Sequence, residues 1–142
     1  PDLQAMAVYL RGLPQQAPPP APPASEEGEE PPPPPPSRAI GQRLYEQHCV
    51  QCHGEQGEGV PGAYPTLAGN RSITMDSPAN LVRILRHGGY PPATAGNPRP
   101  HGMPPYGHLF NDEEMAAVAT YLRSAWGHQA APVTALEVFR YR

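Results

Sequence analysis

The chain has 142 residues, and proline at 23 positions with glycine at 14 puts about a quarter of it in residues that interrupt helices and strands. Its ten basic residues are all arginine and stand against thirteen acids, a net charge of −3 that speaks against a nucleic-acid binder. No apolar run approaches the roughly 20 residues of a membrane-spanning helix, and the same counts exclude a collagen, a coiled coil and a disulfide-dense scaffold.

Residues 2–11 can be laid on residues 114–123 at a constant offset, with identities at Ala5/Ala117, Ala7/Ala119, Tyr9/Tyr121, Leu10/Leu122 and Arg11/Arg123. Two amphipathic Ala/Leu helices can look alike by chance; the alternative is an internal repeat. On the second reading residues 1–13 are the closing helix of a preceding, similar domain, and an opening on Pro1 suits a fragment or processed chain. A linker is expected over residues 14–36. Its residues 17–36 are only Ala, Pro, Ser, Gly and Glu, ending in six consecutive prolines. Proline fixes φ and lacks an amide donor, so the stretch reads as polyproline II, extended at about 3.1 Å per residue. A domain remains at residues 37–142, with nine arginines and eight acids.

Three main helices are expected in that domain. The first covers residues 38–48, with Ile40, Leu44 and Tyr45 at helical spacing. The second starts at Ser77, a hydroxyl able to cap, with Pro78 at the first helical position and Leu81, Val82, Ile84 and Leu85 as its apolar face. It stops at Gly88-Gly89, with Arg86 and His87 near its negative end. The third opens on Asn111 as N-cap with Glu114 three residues on, flanked by the staple pair Phe110 and Met115. Its stripe is Met115, Val118, Ala119, Leu122, Ala125 and Trp126. No period-two strand appears, so the domain reads all-α with long Gly/Pro loops.

The chemistry centres on Cys49-Val50-Gln51-Cys52-His53, a C-x-x-C-H run that reads as covalent attachment of a c-type haem. Two thiols within one helical turn can each add to a vinyl group on one porphyrin edge, and the adjacent His53 then presents a nitrogen to the iron. Zinc would need four ligands, and there is no third cysteine. A thioredoxin-type redox pair expects a βαβ unit, and a disulfide across two residues would close too small a loop to contribute much. For the sixth iron ligand, Met6 belongs to the preceding segment, Met115 to a buried stripe, and Met75 precedes a helix cap. Met103 stands in His101-Gly102-Met103-Pro104-Pro105-Tyr106, where two prolines stiffen the chain and glycine permits close approach. His101 and His108 flank the same loop and are rival ligands, while His87 reads as a helix-end residue.

The run from Ile40 to Arg123 resembles a class I cytochrome c domain. It carries Gly41 and Tyr45 on the first helix, Cys49, Cys52 and His53, then Pro65-Thr66-Leu67, then Gly102-Met103-Pro104. The resemblance implies a class I cytochrome c fold around a covalent haem and its iron. It implies a close crossing of first and last helices through Gly41 and Tyr45 against Tyr121 and Leu122. It also implies that the Pro65 carbonyl accepts the Nδ1 proton of His53 and that Leu67 packs on the haem. The segments Gly62–Asn70 and Tyr121–Val133 are similar to the last haem domain of triheme cytochrome subunits of membrane-bound bacterial dehydrogenases.

With His53 and Met103 on iron the site is closed to small molecules, and one-electron transfer is the expected function rather than catalysis. The resemblance implies a dehydrogenase subunit or adjacent haem domain as donor, and a quinone, cytochrome or terminal oxidase as acceptor. It implies a periplasmic location, with membrane association only through a parent complex. The alternative is a haem enzyme or ligand-sensing domain with an open or displaceable sixth position; a zinc-holding module is a third.

Overall fold

A computed structural model describes residues 2–12 and 36–141. The chain divides into two units, Pro1–Pro32 and Pro33–Arg142. In the first, α1 (Asp2–Gly12) is a helix whose Leu3, Met6, Val8, Tyr9 and Leu10 are all exposed. The linker expectation lies outside the described residues except at Pro36, which opens the next helix instead.

The second unit contains α2 (Pro36–His48), α3 (Val50–His53), α4 (Arg71–Thr74), α5 (Ala79–His87), α6 (Asp112–Ser124) and α7 (Ala135–Arg140). Three isolated bridges, Val60 with Tyr64, Gly89 with Met103 and Thr94 with Asn97, are the only β-type pairings among the described residues. The three expected helices are α2, α5 and α6; the class is all-α. Two local expectations shift. Helix α5 begins at Ala79 with Pro78 as its N-cap, and the Ser77 hydroxyl accepts only a long bond, 3.4 Å, from the Ala79 amide. Trp126, placed on the stripe of the last helix, lies beyond its end with φ 53°.

Helix α6 is the axis of this unit. Its start is fixed by a reciprocal cap: the Asn111 side chain accepts from the Glu114 amide and Glu114 accepts from the Asn111 amide. Every residue from Met115 to Arg123 is buried, rather than one stripe, because α2, α4, α5 and α7 pack around it. Against α2 the approach is closest at Gly41, where a Cβ would overlap the Ala117 carbonyl. One helical repeat further on, the Tyr45 ring sits 5.3 Å from Tyr121 and 5.2 Å from Trp126.

The chain after α6 folds back over it. Thr120 Oγ1 exchanges hydrogen bonds with the Val133 amide and carbonyl, and Val138 of α7 is fully buried. Arg123 is 2% exposed, and its guanidinium donates to the carbonyls of Ala131, Ile73 and Met75, at 2.7, 2.8 and 2.7 Å. One side chain thus ties the returning tail and the α4 turn to the last helix. Burial lowers its pKa from the ordinary value, an effect that Glu137 and Asp76 oppose.

Candidate haem-attachment site

The thiol pair stands on a continuation of α2. The Cys49 amide donates to the Tyr45 carbonyl at 2.8 Å, and the Cys52 and His53 amides both donate to the Cys49 carbonyl. This single turn, α3, puts Cys49, Cys52 and His53 side by side. Gly54 stops it at φ 78°, and the Tyr45 hydroxyl holds the Gly54 carbonyl at 2.6 Å. Both cysteines are free thiols, Cys49 buried and Cys52 partly so. Burial, and secondarily the neighbouring Cys52, pushes the Cys49 thiol up to about 12, so its sulfur keeps its proton at neutral pH.

His53 Nδ1 lies 3.0 Å from the Pro65 carbonyl oxygen. A carbonyl can only accept, so Nδ1 carries a proton, and in the neutral ring the lone pair is on Nε2. The Pro65 carbonyl is held in place by the turn beneath it. The Gly57 carbonyl accepts from the Leu67 amide at 2.7 Å, the Ala68 amide at 3.0 Å and Thr66 Oγ1 at 3.0 Å. Gly59, at φ 64°, fits where a Cβ would strike the Tyr64 and Pro65 carbonyl groups.

Met103 is presented by the loop between α5 and α6. Its amide and carbonyl pair with the carbonyl and amide of Gly89, at 2.8 and 3.0 Å. The next residues are anchored to the end of α5 through Tyr106 N–H to Leu85 and Gly107 N–H to Arg86. The Tyr106 hydroxyl donates to the His48 carbonyl at 2.9 Å, linking this loop to the end of α2. Arg86 in turn pairs with Asp112 at 2.7 Å, so α5 and the start of α6 are tied beside the loop.

Two cavities, of about 300 and 530 Å³, share Cys49, His53, Pro65, Ile84 and Met103 in their walls. The smaller is almost wholly apolar and is also lined by Leu67, Ile73, Leu81 and Leu85; Cys52 borders the larger. The six residues singled out in the sequence (Cys49, Cys52, His53, Pro65, Leu67 and Met103) therefore come to one cleft. Among the rivals, His101 lines the larger cavity, its ring 5.0 Å from Tyr64. His87 and His108 are exposed and line neither. Met115 is fully buried on α6, and Met75 is 48% exposed. Among the described residues no cluster of three His, Cys, Asp or Glu side chains has the arrangement of a metal site.

The sequence reading missed three contributors. Tyr106 and Gly57 carried no motif of their own, and both act through hydrogen bonds that only the fold creates. Arg123 was noted only as a repeat identity, because nothing local says that three carbonyls will surround it.

Residues 39–126 match the family described as cytochrome c. The cytochrome c subunit of the quinone alcohol dehydrogenase of Gluconacetobacter polyoxogenes is 32% identical over 99% of this chain and 31% of its own length. That of Gluconobacter oxydans is 31% identical over 99% of this chain and 30% of its own. Cytochrome c-552 of Thermus thermophilus is 31% identical, over 75% of this chain and 76% of its own. The chain spans under a third of the length of the two dehydrogenase subunits it matches.

Proposed function

The chain belongs to the cytochrome c family, and on that premise we propose that it holds one haem c on Cys49 and Cys52 with His53 and Met103 as axial ligands. It would receive single electrons from a dehydrogenase partner or a neighbouring haem and pass them to a quinone or respiratory acceptor. One observation supports this reading above the others: the walls of a single apolar cleft contain both His53, with Nδ1 already occupied, and Met103, with the thiols at its edge.

The donor set fits such a group. Cavities of this size lie in the usual range for small-molecule and cofactor sites, and Leu67, Leu81 and Leu85 supply the apolar walls a porphyrin face requires. When bound, the haem supplies the ferric–ferrous couple. Cys49 and Cys52 would hold the haem through thioether bonds to its two vinyl groups. His53 offers Nε2 to the iron while Pro65 fixes the ring and raises its basicity. Met103 offers a soft, neutral sulfur, which favours the reduced metal relative to a second histidine. Tyr106, Gly89 and the α5 end keep that loop in place.

For the domain plan we propose residues 1–13 as the closing helix of a preceding similar domain, 14–36 as linker and 37–142 as the cytochrome domain. In support, Leu3, Met6, Tyr9 and Leu10 are exposed, whereas Met115, Val118, Tyr121 and Leu122, the residues they align with, are buried. The relatives that match nearly the whole chain are dehydrogenase subunits about three times its length. Both observations favour a multi-haem parent; a periplasmic setting, with membrane association through a larger complex, completes the proposal.

The test is the ferric near-infrared spectrum of the haem-loaded chain. The iron–methionine charge-transfer band is expected, and Met103→Ala should abolish it and let the reduced form bind carbon monoxide. A wild-type chain lacking the band and binding carbon monoxide readily would overturn the closed site in favour of a ligand-binding one.

A further inference from the structure

We infer that Trp126 and His128 are positioning residues for His53, clamping residues 65–69 so that the Pro65 carbonyl stays on its Nδ1; the inference rests on the reading of His53 as iron ligand. After α6 the chain reverses over residues 125–128. Trp126 has φ 53°, Gly127 has φ 83°, and the His128 amide donates to the Ala125 carbonyl at 2.9 Å. Positive φ at both central residues is the pattern of a type I′ turn, a setting that suits Gly, Asn or Asp and disfavours tryptophan. Trp126 is the one non-glycine with positive φ among the described residues.

The strained turn aims two side chains at the far loop. The Trp126 ring covers Gly57 so closely that a Cβ there would stand 2.8 Å from ring carbons, and its indole N–H donates to the Glu55 carbonyl at 3.3 Å. Gly57 is the residue whose carbonyl gathers Thr66, Leu67 and Ala68. His128 fastens the other end. Its Nδ1 lies 2.7 Å from the Leu122 carbonyl, and its Nε2 accepts the Gly69 amide at 2.9 Å. Both ring nitrogens are used, one donating and one accepting, which fixes the tautomer. Residues 65–69 are thus held by His53 at the start, by Gly57 in the middle and by His128 at the end. Neither Trp126 nor His128 lines the two cavities, so both act through the loop.

The experiment uses the full haem-loaded chain and compares it with His128→Ala. Covalent haem and the methionine band should persist in both. In the variant, exchange of the Gly69, Leu67 and Ala68 amides and of the His53 Nδ1 proton should accelerate about tenfold or more. The reduction potential should rise, because a less firmly hydrogen-bonded imidazole is a weaker donor. Unchanged His53 proton exchange and potential, with only Gly69 accelerated, would overturn the inference and leave His128 as a fastening of the tail. A second measurement needs no variant: in the unsubstituted protein the Gly69 amide and the His53 Nδ1 proton should open together, with protection within about threefold across mild denaturant. Independent openings would contradict the clamp. Absence of covalent haem or of the methionine band in the unsubstituted chain would instead overturn the proposed ligation.

Discussion

A methyl group at position 41 has nowhere to go. Gly41 sits mid-helix, where alanine would favour the helix by about 1 kcal/mol. Its Cβ would overlap the Ala117 carbonyl and lie 2.9 Å from Tyr121 Cβ, a collision with backbone that no rotamer change relieves. Overpacking of this kind costs about 1–3 kcal/mol, so the clash outweighs the propensity. Gly41→Ala should lower the urea midpoint with an unchanged slope; a raised midpoint would mean that the helices can move apart freely. At this scale the sequence was informative wherever chemistry is local. The two thiols and His53 share one turn, and Met103 is bracketed by glycine and prolines. Trp126 was misplaced because nothing in its neighbours announces a positive φ, and tryptophan there runs against its own preference. The placement of Arg123 depends on carbonyls 48 and 50 residues distant in sequence.

Among the elements, those with their own start signals were legible and those stabilised only by tertiary contact were not. Asn111 and Glu114 announced α6, and both halves of that cap are formed. Helix α7 carries the same device in Thr134 and Glu137, yet six residues are too few for a periodic pattern, and burial of Val138 against α6 is what holds it. This cap makes a pH prediction. Hydrogen bonds from the Thr134 amide and hydroxyl, both 2.8 Å, hold the Glu137 carboxyl below the usual carboxylate range. A pKa lower in the folded than in the unfolded state gives stability that is present above the ordinary carboxylate value and is lost as pH falls through the folded one. The protection factor of the Val138 amide, its exchange rate taken against the intrinsic rate at each pH, should therefore fall at acid pH, and Glu137→Gln should flatten that acid limb while weakening the cap at neutral pH. An acid limb that persists in the variant would place its origin elsewhere.

In the larger unit, a core packed around α6 leaves an apolar cleft beside it. Helices α2 and α6 pack together, the turn after His53 and the loop around Met103 both line the cleft, and the returning tail braces the first of these. The all-α class and the three main helices were legible because their apolar spacing is local. The tail's return was not, since it is written in hydrogen bonds of Thr120 and Arg123 to residues that show no pattern of their own. The apolar residues of α1 are exposed, whereas their aligned counterparts on α6 are buried among α2, α4, α5 and α7.

The most direct measurement is the intact mass of the chain after production in a haem-attaching periplasm, taken under denaturing conditions. The expected mass exceeds that of the polypeptide by one haem, the addition mapping to the peptide that contains Cys49 and Cys52. A chain that retains only its polypeptide mass, or that gives up its haem on denaturation, would contradict covalent attachment and with it the electron-carrying role.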